Sequence, residues 1–193
     1  MKVIDMSGWN TNIDWSRLVD EGVDGVIVKI SEGCTLSELH GKQIAGAAAR
    51  GLKWGVYCYT HAQTTARAEE EAEAVMDTLD ALGYGAPELG IWFDVEAHEV
   101  LALDKEEITA ICSAFIAACN AAGYQAGIYA SLYTLETSIG VEDLADYVPY
   151  WCAQYGTSEC SFHDSYPDNI LAGWQWTDCY SIGGENYDMS EWY

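Results

Sequence analysis

Five short apolar runs, each followed by a segment of helical period, restrict this chain to few folds. The runs are Lys2–Asp5 (KVID), Gly25–Ile30 (GVIVKI), Trp54–Tyr59 (WGVYCY), Gly90–Val95 (GIWFDV) and Gln125–Ala130 (QAGIYA). Runs so short and so continuously apolar read as strands buried on both faces, the habit of parallel sheets. The segments between them carry helix signals. Asp14 is placed to cap a helix through Glu21 that Gly22 stops, and Ser37 to cap one closed by Gly51. From Thr65 to Leu82 an apolar stripe of Ala68, Ala72, Val75, Met76 and Leu79 opposes a wet side of Glu69–Glu71 and Glu73. Asp104 and Glu107 form a capping box for a helix burying Ile108, Ile111, Cys112, Phe115, Ile116 and Cys119, which ends at Gly123.

The second half is looser. Pro149–Ala153, Ile170–Trp176 and Glu185–Asp188 read as strands, and only Leu132–Ser138 and Glu142–Tyr147 have room for helical turns. Eight strands, the first five separated by helices, predict an α/β fold: an irregular TIM-like β/α barrel with reduced helices in its second half. At 193 residues the chain is shorter than the roughly 250 of a standard barrel, and residues 1–193 are expected to form a single domain. The alternative is a doubly wound open sheet, but no Gly-rich phosphate loop follows the first strand.

Composition narrows the partners. With 31 acidic and 8 basic residues the formal net charge is −23, so nucleic acid and anionic membrane surfaces would repel the chain. Eight Trp, 13 Tyr and 3 Phe supply a core and argue against disorder. No apolar stretch reaches the roughly 18 residues of a membrane span. The N-terminal MKVIDMSGWNTNIDW is broken by Asp5, Asn10, Asn12 and Asp14 and lacks the apolar core of a secretory signal. Seven cysteines without a CxxC pair signal neither a disulfide framework nor a zinc site. They read as buried thiols of a chain folded in a reducing compartment; a nucleophilic cysteine is the alternative, although no basic neighbour in sequence marks one. No cofactor and no metal are expected, and a monomer is.

The chemistry-bearing residues sit at strand ends. Asp5 ends the first strand, Asp94 and Glu96 the fourth, and Asp188 the last. In a barrel the first and eighth strands are neighbours, so Asp5 and Asp188 would lie side by side at the C-terminal mouth, where barrel enzymes place their catalysis. Asp94 and Glu96 are two apart and point the same way from an extended chain. A glycosidase needs two carboxyl functions, one protonating the leaving oxygen and one stabilising charge at the anomeric carbon, and crowding raises at least one pKa. Two other readings stay open: helix caps or solvated loop acids, and a Mg²⁺ or Ca²⁺ site. Aromatic rings near strand ends, with Tyr57, Tyr59, Tyr129, Trp151 and Trp174 the chosen candidates, suit the apolar faces of a sugar, although alternation sends about half of such rings to the core.

Asp5-Met6-Ser7, Ile13-Asp14-Trp15, VIVKISEG at Val26–Gly33, Gly55-Val56-Tyr57, FDVE at Phe93–Glu96, IYAS at Ile128–Ser131, Trp151–Tyr155, Trp174-Gln175-Trp176 and Tyr187-Asp188 together resemble glycoside hydrolase family 25, the Chalaropsis-type lysozymes of bacteria and phages. The resemblance implies a peptidoglycan hydrolase, an N-acetylmuramidase cleaving the β-1,4 bond from N-acetylmuramic acid to N-acetylglucosamine. Glu96 would be general acid/base and Asp94 the carboxylate that stabilises charge or orients the 2-acetamido group. Asp5 and Asp188 would be supporting acids of the pocket, and Tyr57 a pocket tyrosine. It also implies bacterial peptidoglycan as partner, synthesis in the cytoplasm and action on the wall after release. Two departures concern subsite contacts: Cys58 stands where relatives often have His, and Asn10 where they often have Gln. A non-catalytic wall-sugar-binding module on the same fold, or a chitinase-like glycosidase, are the alternatives. The chitinase motif needs a further Asp where this chain has Trp92.

Overall fold

The computed structural model describes residues 1–193. Eight strands close into a barrel: β1 (Lys2–Met6), β2 (Gly25–Glu32), β4 (Lys53–Tyr59), β5 (Ile91–Asp94), β6 (Ala126–Ser131), β7 (Pro149–Ala153), β8 (Ile170–Ile182) and β9 (Glu185–Trp192), with β1 pairing β2 to complete the ring. A two-residue strand, β3 (Thr35–Leu36), hangs antiparallel on β2. The irregular barrel expected from the alternation is present, and its helices thin out as expected in the second half. The long ones are α2 (His40–Ala48), α3 (Thr65–Leu82) and α5 (Lys105–Ala121). The others are short: α1 (Trp15–Asp20), α4 (His98–Leu101), α6 (Leu132–Thr137) and α7 (Phe162–Ser165).

The barrel is mixed, which corrects the all-parallel expectation. β9 runs antiparallel to both β8 and β1, and continues four residues past Asp188 to Trp192. The cause is the connection. Gly183 and Gly184, with φ of 63° and 91°, make a two-residue turn between Ile182 and Glu185, the geometry of a hairpin. A parallel return would need a crossover of about a dozen residues. Reversal still brings the two acids together, because Asp5 pairs with Asp188 across β1 and β9.

Local signals mostly act as read. Asp14 accepts from Arg17 N, and the Asp104–Glu107 capping box closes. The α5 stripe is buried throughout. Phe93 stacks on Phe115 at 4.2 Å, fastening β5 to α5. Ser37 is not a cap. Its N–H bonds to Ile30 O, continuing the β2–β3 pairing, and α2 starts three residues later without a side-chain cap. Glu71, assigned to the wet side of α3, is fully buried. It sits one residue before Ala72 and three after Ala68, within the apolar stripe, so its angular position outweighed its charge. Four of the seven free thiols are buried as expected, while Cys34 and Cys160 are half-buried and Cys179 is exposed.

The barrel interior is filled in layers. Its floor consists of Val3, Ile27, Leu89, Trp92, Trp151 and Trp192. Trp92 meets Trp192 edge to face at 5.2 Å and Trp151 at 6.0 Å. Glycines make room for these indoles. A Cβ on Gly127 would lie 2.5 Å from Trp92 Cζ3, and one on Gly173 2.4 Å from Trp192 Cε3. Gly127→Ala and Gly173→Ala should therefore each cost about 1–3 kcal/mol by overpacking, read as a lower denaturant midpoint. Unchanged midpoints in both would show that the floor has slack.

Candidate active site

Above the indole floor the inward positions change character. They become Asp5, Lys29, Tyr57, Asp94, Tyr129 and Gln175. Asp94 closes β5, and the backbone around it is held from both sides. Thr60 N donates to Asp94 O, and Val95 N to Tyr129 O, each at 3.0 Å. Val95 and Ala97 point into the helix-covered core, so Asp94 and Glu96 lie on the same inward side, as the two-residue spacing predicted. Asp94 is 4% exposed and its Oδ1 has no hydrogen-bond partner in the protein. Glu96 opens at the rim.

Four carboxyls therefore meet over an apolar base. Burial above all, then the charge of Glu96 and Asp5, pushes Asp94 well above the ordinary carboxyl range, with Lys29 opposing. Burial and Asp188 push Asp5 up, against a 2.9 Å bond from Gln175 Nε2. Burial and Asp178 raise Asp188 to about 6, although its bond with Asp5 works the other way. Glu96 is raised by burial and then by Asp188, with the Tyr129 hydroxyl opposing. Such a cluster favours the protonated forms of its members over those of free carboxyls. It offers a proton donor at the rim beside a buried carboxyl with a free oxygen, the combination acid-assisted cleavage of a glycosidic bond requires.

The aromatic candidates divide. Tyr57 lies among all four acids, whose charges add to its burial in raising its hydroxyl pKa. Tyr59 stands at the rim with Lys29 Nζ 4.9 Å above its ring. Tyr129 donates to Gln175 Oε1 at 2.8 Å. Trp151 is not at the mouth. It is the third residue of β7, 2% exposed in the floor, and bonds Ser190 Oγ at 2.9 Å. Trp174 is not there either. Alternation turns Gly173 and Gln175 inward and Trp174 onto the outer wall, where its indole donates to Gln154 O at 2.8 Å.

Sequence reasoning passed over Gln175, the connector of the site. It is 1% exposed, receives the hydroxyls of Tyr129 and Tyr155, and donates to Asp5. The signal was available: one amide between two indoles in Trp174-Gln175-Trp176 must be satisfied if buried. Tyr155, the last residue of the Trp151–Tyr155 segment, is thereby part of the mouth. Two clefts open at the strand ends, one beyond β1, β2 and β4 and the other beyond β5, β6 and β7. One, of about 470 Å³, is lined by Trp9, Lys29, Glu32, Thr35 and His61 among others. The other, of about 440 Å³, is lined by Glu96, Ser131, Tyr133, Glu136 and Tyr155 among others. No group of three or more His, Cys, Asp or Glu side chains is arranged to hold a metal ion.

The raised carboxyls carry a stability cost that appears on ionisation. A group whose pKa is higher when folded contributes stability below its unfolded value and loses it as pH rises through the folded value. For Asp188 that window runs from about 3.9 to about 6. Asp5→Asn and Asp188→Asn should therefore raise the melting temperature at pH 7 relative to pH 4, measured as the difference from wild type. A difference independent of pH would contradict the crowding.

Comparison with known proteins agrees with this geometry. The sequence profile of glycosyl hydrolases family 25 matches residues 4–185, a stretch holding Asp5, Asp94 and Glu96 and ending before Asp188. The autolytic lysozyme of Clostridium acetobutylicum is 28% identical over 187 residues, 95% of this chain and 52% of that protein. The chain thus spans about half the length of the curated relative it matches. The modular autolysin LytC of Streptococcus pneumoniae, solved also with a synthetic peptidoglycan ligand, superposes with a TM-score of 0.84 at 25% identity over 100% of this chain and 46% of its own. The bacterial lysozyme of Streptomyces coelicolor has the same fold, with a TM-score of 0.80 at 18% identity, covering 100% of this chain and 91% of its own. The acids gathered at the mouth of a mixed barrel and the match over nearly its whole length lead to one conclusion: the chain belongs to glycosyl hydrolases family 25.

Proposed function

We propose that this domain is an N-acetylmuramidase, hydrolysing the β-1,4 bond between N-acetylmuramic acid and N-acetylglucosamine in bacterial peptidoglycan. One observation carries the reading: Glu96, at the rim with its pKa raised, and Asp94, buried with Oδ1 unpartnered, project from one side of one strand end. Glu96 protonates the glycosidic oxygen as the C1–O bond breaks. Asp94 stabilises the positive charge growing at C1, or orients the 2-acetamido oxygen that attacks it. Glu96, now ionised, takes a proton from the water that completes hydrolysis. Asp5 and Asp188 keep the local field negative and the donor protonated. Gln175 holds Asp5 and Tyr129 in place. The two clefts accommodate the glycan on either side of the cleaved bond. The likeness to an autolytic lysozyme and to an autolysin solved with a peptidoglycan ligand supports the substrate class. The domain meets its substrate at the cell wall, after release from the cytoplasm in which it is made.

Digestion of purified peptidoglycan, borohydride reduction and mass spectrometry test this directly. Muramitol ends are expected. Glucosaminitol ends would mean the other bond is cut, and wall binding without new ends would mean a sugar-binding module. Glu96→Gln should fold normally and lose about 10²- to 10⁴-fold in rate, the usual contribution of a general acid. A second prediction follows from the charge of −23. Gram-positive walls are themselves anionic, so lysis should quicken as salt shortens the Debye length from about 30 Å to about 8 Å. A flat or falling response in turbidity assays over that range would contradict it.

A further inference from the structure

A single imidazole ties together the segments that follow three adjacent barrel strands. His61 lies just beyond β4. Its Nδ1 is bonded to the Glu99 carboxylate in α4, and its Nε2 lies 3.2 Å from Glu32 Oε1 at the end of β2. Ionised carboxylates only accept hydrogen bonds. A ring can therefore bond one through each nitrogen only as the imidazolium, which donates from both. A bulge makes the reach to β2 possible. The β2–β4 register shifts between Lys29 and Ser31, so Glu32 falls opposite Tyr59, on the same side of β2 as Lys29, whose Nζ it binds at 2.7 Å.

The clasp stands on a buried support. Glu71 of α3 accepts from Thr60 Oγ1 at 2.7 Å and from His61 N at 3.4 Å, and Arg67 Nε lies 3.7 Å from its Oε1. The charged and titratable groups around His61 are thus Glu32 and Lys29 from β2, Glu71 and Arg67 from α3, Glu99 and neighbouring His98 from α4, and Tyr59, whose ring it meets edge-on at 5.3 Å. The segment it grips is the one that matters. Glu99 is three residues after Glu96. Buried Ala97 and Val100 anchor this segment towards the core, and the His61–Glu99 bond holds its outer side.

We propose that His61 is a positioning residue for the hydrolysis: its imidazolium clamps the Glu96–Glu99 segment to the ends of β2 and β4 and so fixes Glu96 beside Asp94, and deprotonation releases the clamp. This rests on Glu96 being the acid of the muramidase reading. The direction of the pH effect follows from the bonds. The bond to Glu99 foremost, and that to Glu32, raise the pKa of His61 against partial burial. The clamp is complete below the ordinary imidazole value of about 6.5 and is lost as pH rises through the raised one. Because the group is half-exposed, its effect belongs in kinetics more than in stability.

The test pairs titration with turnover. With only four histidines in the chain, the His61 ring is assigned by NMR as the signal missing from His61→Gln. Its midpoint should lie above about 6.5 and fall in Glu99→Gln. On soluble glycan strands, Glu99→Gln, which lines neither cleft, should keep KM within about twofold and lose about 10- to 100-fold in kcat, the range of small misplacements of a reacting group, and His61→Gln, whose ring also lines the first cleft, should lose kcat to the same extent. His61→Arg, a permanently charged fork able to reach both carboxylates, should recover most of kcat and extend activity to higher pH than wild type. An active wild type whose His61 titrates at the ordinary value, or a His61→Gln variant with wild-type kcat and pH profile, would overturn the clamp alone. A wild type that cuts no glycan while His61 titrates high would overturn the muramidase reading, and the positioning role with it.

Discussion

Burying carboxyl groups over a dry base is the constraint on which the mouth of this barrel depends. Trp92, Trp151 and Trp192 fill the interior below Asp5 and Asp94, and Lys29, the cation whose charge opposes the rise of Asp94, is itself bonded to Glu32. Charge there is therefore expensive, and protons are retained. The floor is possible only because glycines occupy the facing positions. Packing at the base and acidity at the rim are thus two consequences of one arrangement, and a change in either alters the other.

The reversal of the last strand completes the arrangement. Running backwards, β9 delivers Asp188 to the level of Asp5 at its middle and Trp192 to the floor at its end. A single hairpin turn thereby supplies one carboxyl of the cluster and one indole of its base. Gln175, on the strand paired with β9, links Asp5 to Tyr129 and Tyr155. Side chains from β1, β6, β8 and the loop after β7 become one hydrogen-bonded unit. Local rigidity of this kind is how a barrel holds reacting groups to the tolerance that chemistry demands.

Much of this was legible in the residues. Apolar runs located the strands, capping signals located α1 and α5, an apolar stripe located α3, and the acids at strand ends pointed to the mouth. What escaped depended on height and on angle. Trp151 alternates inward as a strand-end aromatic should, but its ring is buried against Trp92, Trp192 and Tyr129 and offers no open face to a sugar. Trp174 and Gln175 exchange roles because alternation, not residue type, decides which faces in. Glu71 was misplaced by its charge although its helical angle lay within the apolar stripe. The direction of β9 was written in Gly183-Gly184, a turn signal that a count of parallel strands passed over. His61 could not be placed, because its partners are 29 and 38 residues away in sequence.

The central claim is that burial, and after it the charge of Asp188, raises the pKa of Glu96 at the rim. Its most direct test is the titration of Glu96 by carboxyl ¹³C NMR in wild type and in Asp188→Asn, which removes the largest neighbouring charge acting on it. The account predicts a midpoint above the ordinary glutamate value of about 4.3 that falls in the variant. A midpoint at the ordinary value, or one that Asp188→Asn leaves unmoved, would contradict it.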